Sequence, residues 1–147
     1  MMSTERNFSP IQVLLVEDNP ADIRLTREGL KEAKVANVLN AVMDGRKALD
    51  YLHRRGDYKN ACKPDVVILD LNLPGMDGRE VLRQMKADPV LRLIPVVIMT
   101  SSEAETDIMK AYELYANCFI TKPLDLTTFL QVVHAIDDFW FTVVKLP

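Results

Sequence analysis

Short apolar runs alternate with longer amphipathic segments along the chain, and this alternation predicts the secondary structure. The short runs are apolar on both faces, which is typical of strands in a buried parallel sheet. They span 11–17, 35–42, 65–70, 94–100 and 117–122. The longer segments place apolar residues at helical spacing along one side, which predicts surface helices. They span 20–34, 45–55, 77–87, 102–116 and 124–140.

Local residues support the start of the first helix and the position of one long loop. Asn19 is a suitable N-cap, and Pro20 suits the first helical position because its fixed φ matches a helix. The connection at 54–64 contains the breakers Gly56 and Pro64, so we expect an exposed loop there. The apolar faces of the second and third helices comprise Ala48, Leu49, Leu52, Val81, Leu82 and Met85.

Five strands that are each followed by a helix predict an α/β domain. The expected architecture is a doubly wound, five-stranded parallel sheet with helices on both faces. Its flavodoxin-like strand order would be 2-1-3-4-5, and a ligand site should lie beyond the carboxyl ends of the strands.

Composition and charge narrow the possible functions. The 147 residues suffice for one domain with a sizeable core. A net charge of −3 and scattered basic residues argue against a basic surface that binds nucleic acid. We find no signal peptide and no apolar run near the roughly 18 residues of a membrane helix. Cys62 and Cys118 are far apart, which argues against a disulfide framework or zinc site and suits a cytoplasmic location.

Chemically active residues follow four of the predicted strands. Glu17 and Asp18 end the first strand, and Asp70 ends the third. Thr100 ends the fourth strand, and Lys122 ends the fifth. Taken singly, each of these residues has an ordinary structural explanation. An Asp at a strand end, for example, is most often a cap or part of a solvated turn. Their joint occurrence at one edge of a parallel sheet predicts a site with three carboxylates, a hydroxyl and an ammonium.

Electrostatics indicates what such a site would bind. Two carboxylates about 4 Å apart repel by roughly 4 kcal/mol at an effective dielectric near 20. A group of three therefore needs protons or a cation, and hard oxygen ligands favour Mg²⁺. An Asp in this setting can act as a nucleophile and form an aspartyl-phosphate. The metal, Lys122 and Thr100 would then offset charge on the phosphoryl oxygens.

Four stretches in this order resemble the receiver domain of two-component response regulators. They are "LLVEDNPADI", "VVILDLNLPGMDG", "PVVIMTSS" and "FITKPLD". The resemblance implies that Asp70 is the phosphoacceptor and that Thr100 and Lys122 contact the phosphate. It also implies that Mg²⁺ binds the Asp18 and Asp70 carboxylates directly. Glu17 would bind it through water and Asn72 through its backbone carbonyl.

Two further features of these motifs bear on the site. Pro74 and Gly75 suit a tight turn after Asp70, and Gly78 suits a place where the backbone is crowded. The switch aromatic of similar proteins is often Tyr, whereas this chain has Phe119, which can rotate but cannot donate a hydroxyl hydrogen bond. By the same resemblance, Asn72 and Ser102 would tune dephosphorylation.

The expected function is a phosphorylation switch. A histidine kinase would supply the phosphoryl group, and the surface from the fourth strand to the last helix (124–140) would change in response. We expect a single domain over 1–147, with an N-terminal tail at 1–10, a receiver core at 11–136 and an apolar extension at 137–147. No output domain is expected, and the chain would not act as an enzyme beyond its own phosphorylation and dephosphorylation.

Alternatives within and outside the family remain open. The chain could serve as a phosphorelay intermediate or phosphate sink, or as an unphosphorylated binding module. A flavodoxin-like FMN protein would need a phosphate-binding loop where this chain has the acidic "EDNPAD". A haloacid-dehalogenase-type phosphatase would need a general acid at the position of Asn72.

The loop at 54–64 and the C-terminal "FW…LP" resemble the small regulators paired with cyanobacterial phytochrome kinases. A phytochrome-type photoreceptor is therefore the leading kinase partner. The last helix and the tail carry more apolar surface than one sheet face buries, which predicts a homodimer. Its interface would include Phe129, Ile136, Phe139, Trp140 and Phe141.

Overall fold

The computed structural model describes residues 10–32, 36–100 and 118–121, the last range by its backbone. The strands are β1 (Ile11–Val16), β2 (Asn37–Val42), β3 (Val66–Asp70), β4 (Val96–Thr100) and β5 (Cys118–Thr121). The helices are α1 (Pro20–Leu30), α2 (Gly45–Leu52) and α3 (Gly78–Ala87), with short 3-10 turns at Gly56–Tyr58 and Leu91–Leu93.

The five strands form one sheet in the order β2-β1-β3-β4-β5. Every neighbouring pair is parallel. The predicted fold class and strand order are therefore confirmed. Some predicted boundaries were too wide, and the largest error is α1, which ends at Leu30 instead of residue 34. The predicted helices at 102–116 and 124–140 lie outside the described residues.

Hydrophobic clusters cover both faces of the sheet, as expected for a doubly wound domain. One cluster joins alternate strand residues such as Leu14 and Val16 to α2 and α3. The other joins the intervening residues, such as Val13 and Leu15, to Leu30 of α1. Successive strand residues point to opposite faces, so both faces must be apolar in a sheet covered on two sides. None of the helices in the described part of the chain is long and apolar enough to cross a membrane.

The strand β2 departs from the prediction that all strands are buried on both faces. It lies at the edge of the sheet, and most of its residues are only partly buried, with Val38 exposed. Position in the sheet, rather than composition, explains this difference. An edge strand has a neighbour on one side only, so its apolar side chains find less cover than those of β1 or β3.

The first helix begins as predicted. The side chain of Asn19 accepts hydrogen bonds from the backbone N–H groups of Ala21 and Asp22, and Pro20 is the first helical residue. The apolar faces predicted for α2 and α3 are also confirmed, since all six of their named residues are buried.

The connection between α2 and β3 is largely exposed, as predicted. It is anchored where Tyr58 and Ala61 pack against the core. The rings of Tyr58 and Tyr51 lie 5.3 Å apart between centroids. The connection therefore packs beside α2 and β2 instead of extending freely into solvent.

Candidate functional site

Three acidic side chains meet at the carboxyl edge of the sheet. Glu17 and Asp18 directly follow β1, and Asp70 is the last residue of β3. The two strands are direct neighbours in the sheet. One carboxylate oxygen from each of the three residues lies within 4.8 Å of the others. The structure thus brings together the acidic residues that the sequence predicted for one site.

Two of these carboxylates are buried and held by nearby backbone. Glu17 is fully buried and Asp70 is 2% exposed, whereas Asp18 is partly exposed. An oxygen of Glu17 accepts the Asn19 N–H at 3.0 Å. In the same way, Oδ1 of Asp70 accepts the Asn72 N–H at 2.9 Å. Each contact spans two residues, so local chain geometry orients both carboxylates.

The donor set fits a hard divalent cation. Three carboxylates at this separation repel one another strongly because buried charges are poorly screened. Oxygen donors that converge on one point are the ligands Mg²⁺ and Mn²⁺ prefer, and the partial exposure of Asp18 leaves access for water ligands. Asn72 is exposed beside this cluster, where the resemblance expects its carbonyl to act as a ligand.

The hydroxyl of the predicted set also lies at this edge. Thr100 is the last residue of β4 and is fully buried. The preceding residue, Met99, is paired in register with Asp70, so Thr100 stands one residue beyond the level of Asp70 on the adjacent strand. Thr100 is in turn paired with Thr121 of β5. Lys122, Ser102 and the side chain of Phe119 lie outside the described residues.

The segment from Asp70 to α3 is tightly folded, as two glycines require. Gly75 has φ of +71°, the left-handed conformation that favours glycine in a turn. At Gly78, a Cβ atom would lie 2.4 Å from the carbonyl oxygen of Asp70 and 2.7 Å from Cα of Leu71. The predicted crowding at Gly78 is confirmed, and it involves the backbone of the candidate nucleophile itself.

Sequence reasoning missed one close approach that shapes the site. At Gly45, the first residue of α2, a Cβ atom would lie 2.9 Å from both the carbonyl oxygen of Met76 and Cγ2 of Val81. The start of α2 thus packs directly against the turn that follows β3. A glycine at the start of a helix, where it adds no stability of its own, is the signal that could have suggested this contact.

Comparison with known proteins relates this geometry to one family. The family model of the response regulator receiver domain matches residues 13–134. Response regulator Rcp1 of Synechocystis sp. is 44% identical over 146 residues, which are 99% of each chain. Response regulator PleD of Caulobacter vibrioides is 35% identical over 135 residues, but these make up only 28% of that protein.

Two solved structures show the same relation. The phosphorylated cyanobacterial phytochrome response regulator RcpA is 46% identical, with a TM-score of 0.79 over 91% of this chain and 96% of that one. The Mn²⁺-bound form of Rcp1 is 43% identical, with a TM-score of 0.79 over 94% of this chain and 99% of that one. One relative has therefore been described in a phosphorylated form and another with a divalent metal.

Proposed function

We propose that this chain, which belongs to the response regulator receiver family, is a phosphorylation-dependent switch. Its proposed phosphoacceptor is Asp70. The observation that carries the proposal is the acidic cluster of Glu17, Asp18 and Asp70, with oxygens within 4.8 Å of one another. Receiver domains are signalling switches, so the only chemistry proposed is the gain and loss of the phosphoryl group on the chain itself.

The proposed transfer uses the Asp70 carboxylate as nucleophile. One of its oxygens attacks the phosphorus of a phosphohistidine on the kinase, and an O–P bond forms as the N–P bond breaks. The imidazole keeps the bonding electron pair and takes up a proton. The hydrogen bond from Asn72 N–H to Oδ1 supports this role because it fixes the plane of the carboxylate before the donor arrives.

The surrounding residues would offset negative charge at the site and on the phosphoryl group during this step. Glu17, Asp18 and Asp70 would hold Mg²⁺, with the carbonyl of Asn72 as a further ligand. The chemistry that Mg²⁺ supplies when bound is neutralisation of negative charge, which lets a phosphoryl group approach an acidic site. The Thr100 hydroxyl and the Lys122 ammonium would bind phosphoryl oxygens.

Removing the metal is the direct test of this function. With acetyl phosphate as donor, mass spectrometry is expected to show one added phosphoryl group in Mg²⁺ and essentially none in EDTA. Asp18→Asn should lower the Mg²⁺ affinity by about 10-fold or more, since second-sphere and ligand losses are of this order. Asp50→Asn, a change outside the cluster, should have no effect. Equal labelling in Mg²⁺ and EDTA would contradict the proposal.

The finer parts of the switch rest on the resemblance. Movement of Thr100 towards the phosphate, with rotation of Phe119, would alter the surface formed by β5 and the segments on either side of it. The similarity to Rcp1 and to RcpA supports a phytochrome-type histidine kinase as phosphodonor. Such a kinase, loaded with radioactive phosphate, should transfer label to the wild-type chain far faster than an unrelated histidine kinase does.

We also propose a homodimer through the last helix and the tail, with Phe129, Ile136, Phe139, Trp140 and Phe141 in its interface. The apolar excess of this segment supports the proposal, and its residues lie outside the described part of the chain. Sedimentation velocity should show a dimer for the full chain and a monomer after deletion of residues 138–147. A truncated chain that still dimerises would refute this interface.

A further inference from the structure

A cleft lies between the edge strand β2 and the connection from α2 to β3, away from the acidic cluster. We call it the loop cleft. Its volume is about 530 Å³, within the range of ligand sites in proteins. One wall is β2 with Gln12 of β1, and the other is the end of α2 with the connection. The described residues that line it are Gln12, Val38, Asn40, Ala41, Val42, Tyr51, Asp57, Tyr58, Asn60, Ala61 and Cys62.

Tyr51 is the feature of the loop cleft that points to a ligand. It is 8% exposed, lines the cleft, and packs its ring against Tyr58. Among the described residues, no hydrogen-bond partner is found for its hydroxyl. Burial, together with the nearby Cys62 and Tyr58, raises the pKa of Tyr51, so this hydroxyl remains a donor at neutral pH. A hydroxyl that lines a cleft and has no partner among the described residues favours a ligand that brings an acceptor.

The remaining polar groups of the cleft match a peptide. Gln12, Asn40 and Asn60 carry side-chain amides, which both donate and accept hydrogen bonds as peptide groups do. Exposed Val38 and the partly buried Ala61 add apolar surface between them. Among the described residues that line the cleft, none is basic and Asp57 is the one acid. A nucleotide phosphate would therefore meet a carboxylate there and no cation among these residues.

The rim of the cleft has the opposite charge from the rest of the chain. The connection carries Arg54, Arg55, Lys59 and Lys63 against the two acids Asp57 and Asp65, in a chain whose net charge is −3. All four basic residues are exposed. Arg55 pairs with Asp50 at 3.1 Å. In sequence, Lys59 lies between the cleft residues Tyr58 and Asn60, and Lys63 directly follows the cleft residue Cys62.

We propose that the loop cleft binds an extended, acidic peptide segment of a partner protein. The Tyr51 hydroxyl and the three amides bind its peptide groups, and Lys59 and Lys63 at the rim bind its carboxylates. The cleft is lined by four residues of β2 between Val38 and Val42, so it extends along this strand and suits an extended chain. This binding surface is separate from the acidic cluster and does not depend on phosphorylation of Asp70.

Peptide selection tests the proposal directly. A displayed library of random peptides is selected on the full chain and counter-selected on the Lys59→Glu/Lys63→Glu double variant. We expect enriched sequences that combine Asp or Glu with apolar residues. When a synthetic copy is titrated, the NMR amide signals of Asn40, Tyr51 and Asn60 should shift, and those of Asp18 and Asp70 should not.

Substitutions in the chain test which residues contribute to the affinity for the peptide. The double charge reversal should weaken the peptide by at least about 10-fold, and Tyr51→Phe by about 5-fold, the effect of one lost hydrogen bond. Tyr51→Phe keeps the ring that packs against Tyr58, so its unfolding midpoint should match the wild type. The matched reversal Arg46→Glu/Lys47→Glu, at the other end of α2, changes the net charge equally and should alter the affinity less than about 2-fold.

Several results would overturn the proposal. One is the absence of enriched acidic sequences. Another is a peptide that binds the double variant as tightly as the wild type, or one whose signal shifts map to the acidic cluster. Displacement of the peptide by an equal concentration of a single-stranded DNA oligonucleotide would show a general anion surface instead.

Discussion

Replacing Asp70 with Asn is expected to abolish phosphoryl acceptance, with a loss of at least about 1,000-fold in rate, because the neutral amide is a poor nucleophile. The change keeps the shape of the side chain, and its oxygen can still accept the Asn72 N–H that now bonds to Oδ1. The fold should therefore persist while the chemistry is lost. The measurement is incorporation of label from a phosphorylated kinase or acetyl phosphate, followed by peptide mapping.

The same variant should become more stable in metal-free buffer, by about 1–2 kcal/mol. Asp70 is almost fully buried within 4.8 Å of two other carboxylate oxygens. Two charges about 4 Å apart repel by roughly 4 kcal/mol at an effective dielectric near 20. Removing one charge relieves part of this repulsion. In urea unfolding, the stabilisation conferred by Mg²⁺ should shrink in parallel, because the weaker site binds less metal.

Asp50→Asn is the matched control for both measurements. Asp50 is a partly exposed residue of α2 that pairs with Arg55, so its loss should leave both labelling and the Mg²⁺ response unchanged. If Asp70→Asn incorporated as much label as the wild type, another residue would have to accept the phosphoryl group. If Asp70→Asn were less stable than the wild type without metal, the contacts of the Asp70 carboxylate would stabilise the fold by more than its repulsion destabilises it.

Gly78→Ala is expected to reduce the free energy of unfolding by about 3 kcal/mol or more. The added Cβ would lie 2.4 Å from the Asp70 carbonyl oxygen and 2.7 Å from Cα of Leu71, and both are backbone atoms that cannot rotate away. The Gly78 N–H also donates to the Leu71 carbonyl at 3.1 Å, which holds the two segments together. Relief therefore requires a shift of α3 or of the end of β3, and overpacking of this kind is costly.

This shift should also impair function, because it moves the backbone of Asp70, the proposed phosphoacceptor. At urea concentrations where the variant remains folded, phosphoryl transfer to Asp70 should be slower by about 10-fold, as expected for a small displacement of a reacting group. Gly75→Ala is the control. It introduces strain of roughly 1–2 kcal/mol through φ of +71°, but among the described residues no atom beyond its chain neighbours lies within 4 Å of its new Cβ. If Gly78→Ala were no worse than Gly75→Ala, crowding at Gly78 would not constrain the site.

Much of the fold could be predicted from the sequence because its signals are local. The β1 and β3 runs are apolar throughout, and the structure buries both almost completely. Asn19 and Pro20 marked the start of α1 correctly because a cap acts within one helical turn. The end of α1 was placed too late because Lys31 and Glu32 suit a helix, and nothing in their composition indicates that the chain must turn towards β2 there.

The candidate site was predictable to the same extent. Glu17 and Asp18 follow β1, Asp70 ends β3 and Thr100 ends β4, so their positions could be inferred one strand at a time. Crowding at Gly78 could also be predicted, because this glycine lies in the motif "LPGMDG" close to Asp70 in sequence. The close approach at Gly45 could not, because it involves Met76 and Val81, which are distant in sequence. The roles of Lys122, Phe119 and the tail stay predictions, because the structure does not describe those side chains.

Local sequence places carboxylates after β1 and β3 and a hydroxyl at the end of β4, because strand ends are set by where an apolar run stops. Only the packing of the sheet puts β1 beside β3, although β2 and two helices separate them in the chain, and so brings the acidic oxygens within 4.8 Å. Packing also leaves β2 at the edge and forms the loop cleft beside it. Neither distance nor edge position is a property of any single segment, since both arise from which strands become neighbours.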